Sequence, residues 1–438
     1  MSTPTPGPLR PALRALGLAL LLVGGCSRET GAGDTDTDPI DDDSGSGDGP
    51  WSDSGKDSAD PGDTADSGDT SGPPGDPAVT QAPGFDSDVF RQWPGIVQLD
   101  DGRVLVAGGQ IVRGPDGGGP GRVTGREETE LLDVGKQTFA LTGALQDGRY
   151  AMGATLLADG SVLVTGGAGG PAGDPAMPRA TAERFVPAQG TWTRLTATMV
   201  EARAGHLAWV PASGTFAGQV LLLGGQGPPY TAERYDPGDG DFHAVPVSGA
   251  PAKRTSAYVL LADGRVLLVG VWDDADDPTQ CWFFAPETGT FTRTGDLTTE
   301  RTGFSATLLA DGRVLVAGGV IGTTYLDSAE IFDPSTGTST ALSATLGSPR
   351  YGHAAARLGS GRVVLAGGVR KAGEALATVD VFDPATGTFS QADGELAAAR
   401  ASASGFALAD GRVMILGGQA ILPHSGTAIL STVDFIGE

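Results

Sequence analysis

The chain alternates short apolar runs with two kinds of polar turn. Residues 305–310 read SATLLA, Asp311-Gly312 follows, and residues 313–319 read RVLVAGG. Further along, Asp333-Pro-Ser-Thr-Gly337 separates a second pair of short runs. Short alternating or continuously apolar runs bounded by such residues are typical of β-strands. The unit therefore predicts four strands in two hairpins. We expect type I′ turns at Asp-Gly, because both residues accept a positive φ.

This unit occurs seven times. The turn glycines lie 46 to 58 residues apart, at Gly102, Gly160, Gly218, Gly264, Gly312, Gly361 and Gly411. The second hairpin is clearest at residues 232–242, 329–339 and 379–389. A repeat of this period indicates supersecondary units that bury their apolar faces against their neighbours. The 70 glycines and 30 prolines of the 438-residue chain fit many tight turns.

The order of residues within the unit resembles the kelch repeat. Its opening matches Arg203-Ala-Gly-His206 and Arg350-Tyr-Gly-His353, followed by Asp-Gly-x-Val-Leu-Val-x-Gly-Gly and by Glu-x-Tyr-Asp-Pro-x-x-Gly. Propellers of the chromosome-condensation-regulator type share the Asp-Gly strand but lack Asp-Pro-x-x-Gly. The resemblance implies an all-β fold over residues 79–438. We expect a seven-bladed β-propeller of four-stranded kelch-type blades, in the galactose oxidase-like superfamily.

The seventh copy is incomplete. It ends with STVDF at residues 431–435, and no fourth strand follows. Residues 78–85 precede the first repeat without a partner in their own unit. We expect this segment to pair with residues 432–435 and close the ring, because an unpaired strand edge would otherwise remain.

The N-terminus predicts export. Arg10 and Arg14 precede an apolar run over residues 15–23 that is too short to span a bilayer. Val23-Gly-Gly-Cys26 resembles a bacterial lipobox, which implies that residues 1–26 are a lipoprotein signal peptide and that Cys26 is acylated. The alternative is an ordinary secretory peptide. Ser27 after the cysteine resembles outer-membrane sorting, so we expect a lipid-anchored protein of the outer membrane.

Residues 27–78 predict a disordered acidic tether. The segment carries fifteen acidic and two basic side chains among Asp, Ser, Gly, Thr and Pro. Such a composition cannot bury enough apolar surface to fold. Asp34, Asp36 and Asp38 imitate the start of a calcium loop, but the required glycine and closing glutamate do not follow. A solvated tether is the simpler interpretation.

The net charge of −24 argues against nucleic acid as a partner, because nothing in the chain forms a basic stripe. We expect a monomer that meets the membrane only through its N-terminal lipid. Cys281 is the only cysteine besides Cys26, so the mature chain cannot form an intrachain disulfide. It occupies a small apolar repeat position, which predicts a buried residue rather than a reactive one.

An arginine and an acid recur in six copies, and we interpret them as structural ion pairs rather than as a substrate-binding ring. The arginines are Arg91, Arg149, Arg203, Arg301, Arg350 and Arg400, and the acids are Glu130, Glu183, Glu233, Glu330, Asp380 and Asp434. Copy four has Lys253 and Trp282 instead. The joint loss predicts that the partners contact one another, either within a blade or between neighbours.

Variable loops after each Gly-Gly predict the binding face, because binding usually resides in loops on a rigid scaffold. The loop after Gln110 is the longest, and copy four replaces the second glycine by Val271. The candidate binding residues are Arg113, Arg122, Arg126, Tyr230, Trp272, Asp273, Asp274, Asp276 and Asp277. The copy-four aspartates could take a cation or a basic partner, or they could be a solvated loop of a degenerate blade.

The fold leaves two functions open. The first is a binding scaffold for a protein or glycan at the cell surface. The alternative is a copper radical oxidase or another carbohydrate-active enzyme. The resemblance implies that copper chemistry needs two histidines and two tyrosines, one of them cross-linked to a cysteine. Two of the four histidines, His206 and His353, occupy the repeat's own histidine position, and none shows metal-ligand spacing. We therefore expect no catalytic residue, no metal and no cofactor.

Overall fold

The computed structural model describes residues 75–81, 91–113, 122–169, 177–226, 230–251, 254–272, 279–422 and 426–438. Apart from a 3₁₀ turn at Lys371–Gly373, the regular elements of these residues are β-strands. None of the described segments forms an apolar helix of membrane-spanning length. The signal peptide, Cys26 and most of the tether lie outside the described residues.

The strands follow the seven repeats. The first strand, β1 (Ala78–Gln81), precedes blade one. Blade one contains β2 (Gly95–Gln98), β3 (Val104–Ala107), β4 (Gln110–Arg113), β5 (Arg122–Gly125), β6 (Thr129–Asp133) and β7 (Thr138–Leu141). Blade two contains β8 (Gly153–Leu156), β9 (Val162–Thr165), β10 (Arg179–Val186) and β11 (Thr191–Arg203). Blade three contains β12 (Leu207–Trp209), β13 (Val220–Leu223), β14 (Ala232–Asp236) and β15 (Asp241–Val245).

The remaining blades continue this order. Blade four contains β16 (Arg254–Leu260), β17 (Val266–Trp272), β18 (Gln280–Ala285) and β19 (Thr290–Asp296). Blade five contains β20 (Ser305–Leu308), β21 (Val314–Ala317), β22 (Val320–Ile321), β23 (Thr324–Tyr325), β24 (Ala329–Asp333) and β25 (Thr338–Ala341). Blade six contains β26 (Ala354–Arg357), β27 (Val363–Ala366), β28 (Val369–Arg370), β29 (Glu374–Ala375), β30 (Val379–Asp383) and β31 (Thr388–Gln391). Blade seven contains β32 (Ser404–Ala407), β33 (Val413–Leu416), β34 (Gln419–Leu422), β35 (Gly426–Ile429) and β36 (Val433–Gly437).

Within the described residues these strands form seven four-stranded antiparallel sheets, each an up-and-down meander from an inner to an outer strand. In blade five the order is β20-β21-β24-β25, and the short hairpin β22–β23 stands apart from it. In a meander, the loop between the second and third strands lies at one end, and the other two turns lie at the opposite end. The variable loops of all blades therefore share one face, which we call the variable-loop face.

The Asp-Gly turn differs from the type I′ turn that the sequence predicts. In blade one the N–H of Gly102 donates to the carbonyl of Leu99 over 3.0 Å. Of the two turn residues only Gly102 has a positive φ, +89°. This geometry is a type I turn followed by a left-handed glycine. Asp101 does not have a positive φ, and its carboxylate accepts a hydrogen bond from the N–H of Arg103 over 3.0 Å.

The hydrophobic core lies between the blades. The described residues contain seven buried clusters, and each joins two consecutive blades. Blades four and five, for example, share a cluster in which Leu267 packs with Val316 and Phe332. The seventh of these clusters joins blade one to blade seven through Val104 and Phe435. The sheets therefore form a closed ring, and the predicted seven-bladed propeller is confirmed.

The ring closes through the N-terminal strand. β1 is the outer strand of blade seven and pairs antiparallel with β36, from Ala78 opposite Gly437 to Gln81 opposite Asp434. The N–H of Val79 also donates to the carbonyl of Asp393, in the connection from blade six. The predicted closure is confirmed for residues 78–81, and residues 82–85 lie outside the described residues.

Candidate functional site

The base of six variable loops is held by a buried arginine. In blade five, Nη1 of Arg301 donates to the carbonyl of Gly318, where β21 ends, over 2.7 Å. The same Nη1 donates to the carbonyl of Ser328, just before β24, over 3.1 Å. Equivalent pairs of bonds occur for Arg91, Arg149, Arg203, Arg350 and Arg400. One side chain thus ties together the two ends of each loop.

Each arginine also meets the acid of its own blade. The shortest distances from Nη2 to a carboxylate oxygen are 2.7 Å for Arg91–Glu130, 2.6 Å for Arg149–Glu183, 2.5 Å for Arg203–Glu233, 3.0 Å for Arg301–Glu330, 2.6 Å for Arg350–Asp380 and 2.7 Å for Arg400–Asp434. These twelve side chains are buried. The acids of blades two, three, five, six and seven also accept backbone N–H groups of the preceding connection, as Glu330 does from Thr298 over 2.6 Å. In these blades the pair therefore fastens the connection to the loop base.

Burial of these ion pairs costs free energy, because the charged groups lose their hydration. Loss of hydration lowers the pKa of Arg91 to about 10, although Glu130 opposes this change. Burial likewise raises the pKa of Asp380 and of Asp434, against the effect of the neighbouring arginine. Removing one partner would leave the other as an uncompensated buried charge. The pairs thus have the geometry of a structural support, and they lie beneath the surface that a ligand would reach.

Blade four is built differently. Trp282 pairs with Leu268 where the other blades place the acid. Ser256 donates to the carbonyl of Gly270 over 3.3 Å, an acceptor that an arginine uses elsewhere. With Val271 in place of the second glycine, β17 continues to Trp272. Cys281 is fully buried, and burial raises its pKa to about 12, so its thiol is not activated.

Several candidate loop residues fall outside the described part of the chain. Asp273, Asp274, Asp276 and Asp277 lie there, as do the side chains of Arg113, Arg122 and Trp272. Arg113 and Arg122 face each other in the backbone register of β4 and β5. The Arg126 side chain is half-buried and pairs with Glu128 over 2.9 Å. Tyr230 does not lie on the binding face as the sequence predicts. It is buried and packs against Phe291 in the core between blades three and four.

Within the described parts of the loops, four continue as small hairpins beyond their blades. They are β4–β5, β22–β23, β28–β29 and β34–β35. The first residue of each hairpin forms a bridge with the residue that follows the arginine, as Gln110 does with Gln92 and Val369 does with Tyr351. The hairpins differ in length and sequence, whereas their attachment is the same. The hairpins therefore give this face a surface that varies from blade to blade on loop bases of the same structure.

The second residue after each arginine lies at the mouth of the central channel on this face. It has a left-handed φ in six blades, and these residues are Trp93, Ala151, Gly205, Gly303, Gly352 and Ser402. Backbone bonds join several of them, such as the N–H of Ala151 to the carbonyl of Trp93 over 3.0 Å. Glycine meets this requirement without strain, whereas tryptophan, alanine and serine do not.

Aromatic side chains cover part of this mouth. The rings of Trp93 and Tyr150 lie 6.2 Å apart, and those of Tyr325 and Tyr351 lie 6.4 Å apart in an edge-to-face arrangement. The sequence prediction missed these residues. The repeat could have revealed Trp93, because in blade one this residue occupies the position that Gly303 occupies in blade five.

Comparison with known proteins identifies the repeat. The family model of the Kelch motif matches residues 301–343, which contain Arg301 and the four sheet strands of blade five. The other blades are four-stranded sheets of the same strand order, and blades one and six share with blade five the register between the second and third strands. The chain is a seven-bladed β-propeller that contains a Kelch motif, and we call it the kelch propeller.

A solved structure has the same fold. It is described as a novel fungal alcohol oxidase with catalytic diversity among the AA5 family, in complex with copper. The kelch propeller aligns with it at a TM-score of 0.59 and 19% sequence identity, over 82% of this chain and 76% of that chain. At this identity the likeness concerns the fold alone. A search of curated proteins returns no match.

The two repeat histidines of the kelch propeller join blades to one another. Nε2 of His206 lies 2.9 Å from Oγ1 of Thr165, and Nε2 of His353 lies 2.8 Å from Oγ of Ser305. Each bond crosses from one blade to the preceding one. Burial lowers the pKa of His206 well below its ordinary value and that of His353 to about 3. Both rings are therefore neutral at physiological pH.

Proposed function

We propose that this kelch propeller is an exported, lipid-anchored scaffold that binds a protein or glycan of the bacterial cell envelope with its variable-loop face. The observation that carries the proposal is the contrast between uniform loop bases and dissimilar loops. Arg301 and its counterparts fix every described base except that of blade four, while the hairpins above differ from blade to blade. A kelch propeller supports this role, because a rigid scaffold with variable loops is a common way to build a binding surface.

The sequence supports the export and the anchor. The lipobox-like residues before Cys26 and the acidic segment over residues 27–78 are typical of a lipid-attached domain held away from a membrane. The loop with Arg113, Arg122 and Arg126 is basic, whereas the loop with Asp273, Asp274, Asp276 and Asp277 is acidic. Opposite charges on one face favour a partner of mixed charge over a uniformly anionic polymer.

A capture experiment tests the binding face. Full-length protein carrying Cys26→Ser is immobilised and exposed to a bacterial envelope extract, and the retained protein and glycan are identified. One variant replaces residues 114–121 by Asn-Gly, and another replaces the four loop aspartates by serine. The matched control is Ala385→Ser, in an Asp-Pro-x-x-Gly turn on the opposite face. We expect the loop variants to lose the captured material and the control to keep it. Capture that depends on Ala385 and survives both loop changes would refute the proposal.

Copper radical chemistry, which the oxidase likeness raises, does not fit the residues of this chain. Within the described residues no three His, Cys, Asp or Glu side chains form a metal-binding group. His206 and His353 belong to blades three and six, and each bonds to a hydroxyl group of the preceding blade. Cys281 lies in a core cluster that contains no tyrosine, so a cross-link to one is not available. We derive no reaction step through copper.

A further inference from the structure

We propose that the channel mouth on the variable-loop face binds one uncharged pyranose ring of a glycan, stacked on Trp93. This inference rests on the proposed function and deepens it, because it names the chemical class of the ligand. Three independent features of the mouth carry it: a strained aromatic residue, an uncharged lining, and hydrogen-bonding groups without protein partners.

The first feature is the conformation and position of Trp93. Its φ is +52°, a left-handed value that costs free energy for a bulky residue. Gly303 and Gly352 show that glycine suffices for the fold at this repeat position. Trp93 is half-buried, and it belongs to none of the core clusters of the described residues. A large aromatic ring held under strain outside the core indicates a surface for a ligand rather than a packing element.

The second feature is the lining of the cavity next to Trp93. Residues of blades six, seven, one and two surround it, with small side chains such as Ala151, Ala154 and Ala354. None of the lining residues that the structure describes carries a carboxylate, an ammonium or a guanidinium group. An ionised ligand would lose hydration here without gaining a counter-charge. The lining therefore selects an uncharged ligand, although the whole chain carries a net charge of −24.

The third feature is a small set of polar atoms in the same lining. Ser402 and Ser404 lie there, and among the described contacts neither hydroxyl bonds to a protein group. His353 is 3% exposed, its Nε2 lies 2.8 Å from Ser305, and its buried Nδ1 has no partner among the described residues. An apolar ligand would leave these groups unsatisfied. A pyranose suits both the apolar and the polar part of this lining, because its C–H face stacks on an aromatic ring and its hydroxyl edge makes hydrogen bonds.

Binding of defined sugars tests the site. Full-length Cys26→Ser protein is titrated with the neutral oligosaccharides maltohexaose, cellohexaose, xylohexaose and mannohexaose, and with the anionic hexamer of galacturonic acid. Saturation-transfer NMR reports which sugar rings contact the protein, and tryptophan emission gives the affinity. We expect at least one neutral hexamer to bind and the anionic hexamer not to bind. Trp93→Gly should lower the affinity about tenfold or more, since it removes the stacking surface.

Controls separate a lost site from a lost fold. Trp93→Gly places at this position the residue that blades three, five and six already have, so circular dichroism and the melting temperature should stay close to those of the parent. Trp93→Tyr keeps an aromatic face and should retain binding. Gln137→Gly relieves another left-handed backbone position of blade one, in the turn between β6 and β7 on the opposite face, and should leave sugar affinity unchanged.

Two outcomes would overturn the site. Absence of binding to every neutral hexamer is one, and equal affinity of Trp93→Gly and the parent is the other. Envelope capture that depends on the blade-one hairpin but survives Trp93→Gly would leave the proposed function standing and reject the sugar site. Capture that is indifferent to both the hairpin and Trp93 would reject both.

Discussion

At the scale of single residues, one arginine in each of six blades has three tasks. Arg301 neutralises Glu330, joins the end of β21 to the start of β24, and through the acid holds the connection that precedes it. The internal repeats predict that the two charges meet, because blade four loses both together. They do not predict that the arginine ties the loop ends, since the acceptors are backbone carbonyls and carry no sequence pattern. They also leave open which blade supplies the acid, whereas the structure places it in the same blade.

A double-mutant cycle measures this pair. Glu330→Gln should lower the free energy of unfolding by about 3–5 kcal/mol, because it leaves the buried Arg301 charge uncompensated. Arg301→Met should have a similar effect, and the double variant should lose less than the sum of the two. Denaturant unfolding gives the three values. The exposed pair of Arg313 with Asp311 is the matched control, and Asp311→Asn should cost no more than about 1 kcal/mol. Additive effects at Glu330 and Arg301 would contradict the coupling.

His353 predicts a pH dependence of stability. Its pKa is about 3 in the folded protein, because burial disfavours the charged ring, and about 6.5 in the unfolded chain. Between these values the unfolded chain binds more protons than the folded protein. Stability should therefore fall as the pH falls below about 6.5, by up to ~1.4 kcal/mol per pH unit. Melting temperatures at pH 7 and pH 5 should differ less for His353→Gln than for the parent.

At the scale of elements, β1 completes a blade that the C-terminal repeat leaves unfinished. The missing fourth strand of the seventh copy predicts this pairing, because blades of this fold need an outer strand. The structure adds the register and a second attachment at Asp393. The Asp-Gly turns illustrate the limit of such reasoning. Composition permits two turn types there, and the bond from Arg103 to the Asp101 carboxylate favours the one with a single left-handed residue.

Truncation tests the closing strand. Removal of residues 27–74 should leave the melting temperature almost unchanged, since Asp76, which bonds to Ser390 over 2.9 Å, and β1 both remain. Removal of residues 27–88 should lower it sharply, because β36 then becomes an open edge and the Val79 packing is lost. Differential scanning calorimetry of the two truncations gives the comparison. Equal melting temperatures would show that β1 is dispensable for the ring.

At the scale of the whole molecule, the repeat makes the ring predictable and the binding face only partly so. Seven copies in register reveal the blades, the inter-blade core and the paired charges, because each of these features recurs in at least six units. Loops have no such register, so the burial of Tyr230 could not be seen in advance, whereas the repeat does show that Trp93 stands where blade five has Gly303. Tyr230 follows two prolines in a loop, yet tertiary packing against Phe291 draws it into the core.

The predicted anchor is tested in cells. Cys26→Ser should move the protein from the membrane pellet to the soluble fraction, because the acyl chains are the only predicted membrane contact. Immunoblotting of fractions after a high-salt wash measures the distribution, and Ser27→Ala, next to the lipobox cysteine, is the matched control that should remain in the pellet. A Cys26→Ser protein that still pellets with membranes would contradict lipid attachment.

The place of β1 also determines how the propeller responds to tension. Any pull along the chain ahead of Gly75 arrives first at the four-residue pairing of β1 with β36 and at its bond to Asp393. Under load the β1–β36 pairing should separate before the inter-blade cores of the other blades, because the force is transmitted to those cores only through this pairing. A propeller held through residues 27–74 would thus open at a single outer strand. On release, the adjacent β36 edge would be available for the strand to return to.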